Sequence, residues 1–246
     1  MIPINYDDAR ALVPTIREAR TITGHRTGLG TPSKMPGFST SIPANACKVG
    51  ARLSRVAGSV CAGCYAMKGR YLFPDVVAGL QRRLDALHHP LWVAGMVRLI
   101  GNDTRRTGVP YFRVHDSGDL QSMEHLHRWF AVARALPDVH FWIPTREQAL
   151  VNLALAMEPC PENMTIRLSA PMIDGSPPAT AHAGLTTSTV HAVSHCGDTN
   201  RWRSPSGRFA PAPIGNQCPA PTQGGACGAC RSCWSPDVEN VSYHVH

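Results

Sequence analysis

The sequence predicts an α/β chain built on a parallel sheet, and three observations carry that prediction. From about residue 75 onward, short apolar runs alternate with stretches whose apolar residues recur at helical spacing. Successive apolar runs lie about 25–28 residues apart, the length a strand–helix unit needs to return to the same sheet. Each run is followed at once by a cluster of polar side chains, where parallel βα folds keep their working groups.

In chain order, residues 1–46 read as loop, punctuated by Gly24, Gly28, Gly30, Pro32, Pro36, Gly37 and Pro43, with one short strand over 38–42. Val76, Val77, Leu80, Leu84 and Leu87 mark a helix over 75–87, and a second helix over 90–100 opens on Pro90. A strand over 111–115 precedes a helix that Ser122 caps and that runs to Leu136 through Leu126, Trp129, Phe130 and Ala133. A strand over 139–143, a helix over 147–157, a strand over 164–168 and a further strand over 187–193 complete the series. Residues 201–234 are rich in Pro, Gly and Cys and have no periodicity, so a bound metal or cluster is expected to hold them together. The expected division is a βα domain over 1–200 with a cysteine-rich segment over 201–246 packed on it.

The strand ends are the most unusual places in the sequence. They read His115-Asp116-Ser117-Gly118-Asp119, Pro144-Thr145-Arg146-Glu147, Ser169-Ala170-Pro171 and His195-Cys196. One such residue is ordinary turn or cap chemistry. Four such ends on one sheet describe the wall of a ligand pocket.

Composition narrows the class. The chain has 246 residues, 43% of them hydrophobic, enough for a full core. The first 20 residues lack the apolar stretch of a signal peptide, and no apolar run reaches the ~20 residues of a membrane helix. A cytoplasmic protein with no membrane partner is therefore expected. Thiols stay reduced there, so nine cysteines argue for metal rather than disulfides. A net charge of +7 suits an anionic cofactor or a nucleic acid, although solubility alone explains it. No G-x-S-x-G is present, and a hydrolase triad is a poor fit.

The cysteines fall into two groups. Cys47, Cys61 and Cys64 form C-x13-C-x2-C, three anchors that suit a [4Fe–4S] cube with one open iron. Zinc wants a fourth ligand and finds none close in sequence, and a redox dithiol needs no third Cys. In the tail, Cys227, Cys230 and Cys233 repeat at the opening spacing of ferredoxin clusters, and Cys218 closes a four-Cys set. Spacing separates iron–sulfur from zinc poorly, so zinc stays an alternative at this second site. Cys196 is a spare ligand for either centre, and Cys160 reads as a loop or core cysteine.

Several blocks together resemble the bacteriophage "gene product eighty-eight" family over about residues 30–235. These are Lys34-Met-Pro-Gly-Phe38, Pro43-Ala-Asn-Ala-Cys47, Cys61-Ala-Gly-Cys64-Tyr65, His115-Asp-Ser-Gly-Asp119, Phe141-Trp-Ile-Pro-Thr145-Arg146, Ile166-Arg-Leu-Ser169-Ala-Pro171 and Cys227-x2-Cys230-Arg-x-Cys233-Trp234. The resemblance implies a protein of the bacterial host cytoplasm during infection. A more distant similarity, to radical S-adenosylmethionine (SAM) proteins, implies a partial (β/α) barrel. Cys47, Cys61 and Cys64 would then hold the cluster and Tyr65 would pack beside SAM. Ser117, Gly118 and Asp119, after His115 and Asp116, would meet the SAM amino group, and Thr145, Arg146 and Ser169 its ribose or carboxylate. The spacing departs from the C-x3-C-x2-C of those proteins, and Asp119 stands where they carry Glu. The likeness thus implies either radical chemistry or a non-catalytic iron–sulfur (or zinc) protein that senses redox state or binds a host protein or nucleic acid.

Overall fold

The structure, a computed structural model, describes residues 3–192 and 213–245. Seven strands form one sheet: β1 (Phe38–Ser39), β2 (Tyr111–Arg113), β3 (His140–Thr145), β4 (Met164–Ile173), β5 (Thr186–His191), β6 (Asn216–Gln217) and β7 (Asn240–His244). They lie in the order β1-β2-β3-β4-β5-β7-β6, and every pairing is parallel. From β1 to β5 each strand is laid beside the one before it, without the reversal that marks a doubly wound sheet. Among the described residues β1 and β6 remain edges. The sheet is thus open and compatible with a partial α/β barrel.

The strand alternation assigns the two faces. Phe112, Phe141, Ile143, Met164, Ile166 and Leu168 point to one side and join a core with the helices. Those helices are α5 (Trp92–Thr107), α6 (Met123–Ala135) and α7 (Gln148–Met157), which supply Met96, Ile100, Leu126, Trp129, Phe130 and Val151 among others. Ser122 caps α6 by accepting from the His125 N–H, as the sequence predicts. The opposite face carries Tyr111, Arg113, Trp142, Thr165 and Arg167. There a smaller cluster forms from Trp142, Cys233, Trp234 and Val241, with Met35, Tyr111, Cys218 and Tyr243 against it.

Residues 1–46 are less loop-like than their Gly and Pro content suggests. Two helices, α1 (Tyr6–Leu12) and α2 (Ile16–Thr23), precede β1 and pack on α5. Each opens on a capping box, Asn5 with Asp8 and Thr15 with Glu18, a signal present in the sequence and easily passed over in helices this short. The short α3 (Lys48–Leu53) and the longer α4 (Pro74–Ala86) flank the first cysteine group. The described part of the tail supplies β6 and β7, so it shares the sheet with the rest of the chain. The predicted strand over 187–193 begins one residue early, at Thr186, and ends at His191. Residues 193–200, with His195 and Cys196, lie outside the described residues.

Three buried imidazoles set the acid stability. His25 lies between the Thr23 and Thr40 hydroxyls, and burial depresses its pKa to about 3. Burial lowers His115 to about 3 as well, and holds His125 well below its ordinary value. All three are neutral when folded and take up protons on unfolding below about pH 6.5, so their contribution is complete above that pH and is lost as pH falls. Asp119 works oppositely: burial raises it to about 6, so between about pH 6 and 4 the folded state gains a proton the unfolded state lacks. The net of about two protons predicts a loss of about 3 kcal/mol per pH unit near pH 5. Urea midpoints measured from pH 7 to 4.5 check this, and a flat profile would contradict it.

Candidate metal centres

The first cysteine group sits across the C-terminal ends of the strands. The chain leaves β1 and is fastened to the end of β2 by Ile42 N–H donating to the Ser117 carbonyl and the Ser117 hydroxyl to the Ile42 carbonyl. Gly118, at φ +86°, permits this approach, since a Cβ there would lie 2.3 Å from the Ile42 side chain. Cys47 then caps α3, and Cys61 and Cys64 lie in and just after a 3-10 turn, Val60–Gly63. Gly50 keeps the space beside them open. A Cβ on Gly50 would stand 3.7 Å from the sulfurs of both Cys47 and Cys61.

Two buried carboxylates organise this loop. Glu147, which the sequence reading left without a role, accepts the Val49 N–H at 2.8 Å through Oε1, a favourable place for an anion at a helix start. Asp119 accepts from the Thr145 hydroxyl at 2.5 Å, the Arg146 N–H at 2.9 Å and the Leu120 N–H at 2.8 Å. Burial still outweighs these bonds and raises its pKa to about 6. Burial, then the nearby Asp119, Cys64, Cys61 and Glu147, push the Cys47 thiol up to about 12. Burial also raises Cys61, while Arg146 pulls it down. The Arg146 Nε is buried with no partner.

Asp116 is a second hub. Its backbone carbonyl accepts the Tyr65 hydroxyl, its Oδ2 the Tyr71 hydroxyl at 2.6 Å, and its Oδ1 the Arg113 guanidinium at 3.2 Å. The two tyrosine rings meet edge to face, centroids 5.7 Å apart. Tyr65 is therefore anchored beside Cys64 by its hydroxyl, with its ring 45% exposed.

The second group lies on the sheet face turned away from the helices. A turn, Ser232–Trp234, crosses β3 and β4 there. Trp234 wedges between Tyr111 and Trp142, with centroids 5.2 and 5.3 Å away, and its indole N–H donates to the Phe112 carbonyl. Arg167 fixes the turn. It is fully buried, and its guanidinium donates to five carbonyls, those of Cys233, Thr187, Val238, Ser232 and Ser235, at 2.6–3.2 Å. Among the described residues no carboxylate pairs with it. Cys218, Cys227, Cys230 and Cys233 share one electrostatic neighbourhood. Burial raises Cys233 to about 11 against the opposing pull of the Tyr243 hydroxyl, 3.1 Å from its sulfur, and of Arg167. Arg113 Nε and Trp142 Nε1 are buried here without partners.

The sequence-predicted residues thus separate. Asp116, Ser117, Gly118, Asp119, Thr145 and Arg146 converge on the first cysteine loop. Ser169 accepts from the Ser188 hydroxyl at 3.1 Å on β4. His115 departs from the group: at φ +68° its ring turns to the helix side, against His125 and Trp129, with both nitrogens unpartnered. Cys196 lies outside the described residues. Cys160 donates to the Met164 carbonyl and packs on the helix-side core, its ordinary role. Arg113, Tyr71, Trp142 and Arg167 were not anticipated. For the arginines a signal existed, a charge inside an apolar strand at the parity opposite the core.

Among the described residues, no three His, Cys, Asp or Glu side chains converge on a single metal ion, and no helix is long and apolar enough to cross a membrane. The donor sets nonetheless suit thiolate-bound centres. Each group combines half-buried thiols with a cradle free of side chains or with buried N–H donors that lack acceptors.

Fold and site together define an α/β protein with a seven-stranded parallel sheet and two cysteine groups, one at the strand ends and one on the helix-free face. The phage Gene product 88 family matches residues 14–236, and the chain belongs to it. No curated protein and no solved structure matches the chain.

Removing the Arg167 guanidinium would take a donor from five carbonyls, of which those of Ser232 and Ser235 keep a backbone N–H donor. Arg167→Met is expected to cost at least about 3 kcal/mol and to open 213–245 to proteolysis. Chemical melts and limited digestion test this. A variant within about 0.5 kcal/mol of the parent, with the tail still protected, would remove Arg167 from this role.

Proposed function

We propose that this chain is an iron–sulfur protein: Cys47, Cys61 and Cys64 hold one [4Fe–4S] cluster, and Cys218, Cys227, Cys230 and Cys233 a second. The observation that carries this reading is the pairing of two thiol groups with part-buried arginines and an indole whose buried N–H groups lack acceptors. Arg146 Nε is unpaired beside the first group, and Arg113 Nε and Trp142 Nε1 beside the second. Cluster sulfides and thiolates are acceptors of the kind such donors need, and hydrogen bonds to sulfur tune the potential of such centres.

When bound, such a cluster supplies one-electron chemistry. The chain's own residues position and insulate it. Glu147 fixes the start of α3, Asp116 ties down Tyr65 and Tyr71, and Arg167 holds the tail turn. Three cysteines leave one iron open, the coordination that SAM would use if this is a radical-SAM-like enzyme. One observation favours the non-catalytic alternative, a redox sensor or a binding protein for a host protein or nucleic acid. Asp119, which the radical SAM likeness assigns to the SAM ammonium, already accepts three hydrogen bonds.

Anaerobic purification after iron supply is expected to yield a brown protein with about eight iron and eight sulfide per chain. Replacing Cys47, Cys61 and Cys64 by Ala, or separately Cys227, Cys230 and Cys233, should halve both numbers. Stoichiometric zinc without sulfide would leave a zinc-held binding module instead. SAM titration followed by EPR then separates the two iron–sulfur readings, since only the open-iron enzyme changes its spectrum.

A further inference from the structure

Between Glu18 and Asp75 the sequence contains no acidic residue and eight Lys or Arg. Five of those cations, Lys48, Arg52, Arg55, Lys68 and Arg70, lie in the segment that carries Cys47, Cys61 and Cys64. All five are exposed, and among the described residues none forms an ion pair. Interleaved with them, the same segment and the start of α4 expose large apolar side chains: Leu72 at 60%, Phe73 at 58%, Met67 and Val77 at 47%. Folding normally hides such residues, and a run of them beside unpaired cations is the composition of an interface, apolar at its centre and charged at its rim.

The segment is also held in place. Tyr65 and Tyr71 are bonded to Asp116, Lys48 donates to the Gln121 carbonyl, and Ser59 bridges to Met172 on β4. A preorganised surface loses little freedom on binding.

We infer that this surface docks an acidic electron-carrier protein that reduces the centre at Cys47, Cys61 and Cys64. The inference rests on the cluster reading above. Charge selects the partner's sign, because a basic rim steers an acidic protein and repels a basic one. The apolar centre selects a protein over a nucleic acid. Met67, Leu72 and Val77 outnumber the exposed aromatics Tyr65 and Phe73 and give bases nothing to stack on, whereas they fill pockets on a protein. The position selects an electron carrier. Cys61 and Cys64 are only partly covered, and they lie in the loop a docked partner would touch. The transfer is one electron: a flavin hydroquinone anion becomes the neutral semiquinone, the centre gains that electron, and no proton moves or bond forms.

The test uses the full-length, cluster-loaded protein with reduced flavodoxin as the probe. Stopped-flow spectroscopy follows semiquinone formation, and calorimetry follows binding. Reversing Arg52, Arg55, Lys68 and Arg70 to Glu together should slow reduction at least about tenfold at low salt and invert its dependence on ionic strength, from a rate that falls with salt to one that rises. Leu72→Ser with Phe73→Ser should weaken binding while keeping the salt dependence. Arg106→Glu, on an exposed cation near the C-terminus of α5, should change neither rate nor affinity. Dithionite must still reduce every variant, which separates lost docking from a lost centre. Equal rates and affinities for parent and charge-reversed protein would overturn the inference. So would a parent that ignores flavodoxin but binds a DNA oligonucleotide or anionic vesicles through these cations. A purified chain without iron and sulfide would instead fail the cluster reading, and the inference with it.

Discussion

A single buried guanidinium joins the two parts of this chain. Arg167 stands in the middle of β4, on the face away from the helices, and all its hydrogen bonds go to backbone carbonyls of β5 and the tail. Five N–H groups in a rigid planar fork meet five acceptors. No other side chain has that geometry; Lys offers three donors from one point. The turn carrying Cys233 and Trp234 is therefore located by β4, the sheet strand with the longest reach, and Trp234 then closes over Tyr111 and Trp142. Without Arg167 the residues from 213 onward would be tied in by β6, β7, a small aromatic cluster and a few single hydrogen bonds, such as those of Trp234 with Thr165 and Phe112 and of Cys227 with Lys34.

A similar economy governs the strand ends. Acids that an open ligand pocket would offer to solvent are turned inward to hold loops. Asp116 carries Tyr65, Tyr71 and Arg113, and Asp119 carries Thr145 and the backbone at Arg146. Arg113 stands between the two cysteine groups. It is bonded to Asp116 on one side, and its field reaches Tyr243 and Cys227 on the other. The groups are far apart in sequence, yet a parallel sheet brings both to adjacent parts of one surface. Strand ends gather the first, and strand alternation exposes Arg113, Trp142 and Arg167 to the second.

Most of the central fold was legible because its signals are local. Short apolar runs marked β2, β3 and β4, and helical spacing with the Ser122 cap marked α6. What escaped had weak or non-local signals. α1 and α2 are seven and eight residues long, with few apolar positions to set a period. β7, reading Asn-Val-Ser-Tyr-His, has one fully apolar residue, because its pairing with β5 is made by Thr187, Thr189, Asn240 and Ser242 rather than by packing. At the site, motif spacing found the cysteines and the polar strand ends. It could not show that His115 adopts a left-handed backbone and turns its ring to the core. Nor could it show that Arg167, a charge inside an apolar strand, would meet carbonyls some 65 to 71 residues away in sequence.

The charge balance links folding to the proposed centres. Arg113 and Arg167 lie beside the tail cysteines and Arg146 beside the first group, and among the described residues the one ion pair any of their guanidinium groups makes is that between Arg113 and Asp116. Burial lowers the Arg167 pKa, so its charge is costly to hold there, whereas Tyr65 and Asp116 outweigh burial at Arg113 and raise its pKa. Carbonyl dipoles offset part of that at Arg167, but neutral thiols add little, and burial holds Cys47 and Cys233 in the neutral form. Converting a group of thiols to metal-bound thiolates removes protons and places negative charge where the arginines stand. On the cluster reading, these cations would stabilise the loaded form. On this reading the arginines resolve a conflict that the cysteines create: burial protects a cluster but opposes the thiolates that must bind it, and a neighbouring guanidinium reverses the second effect without exposing the first.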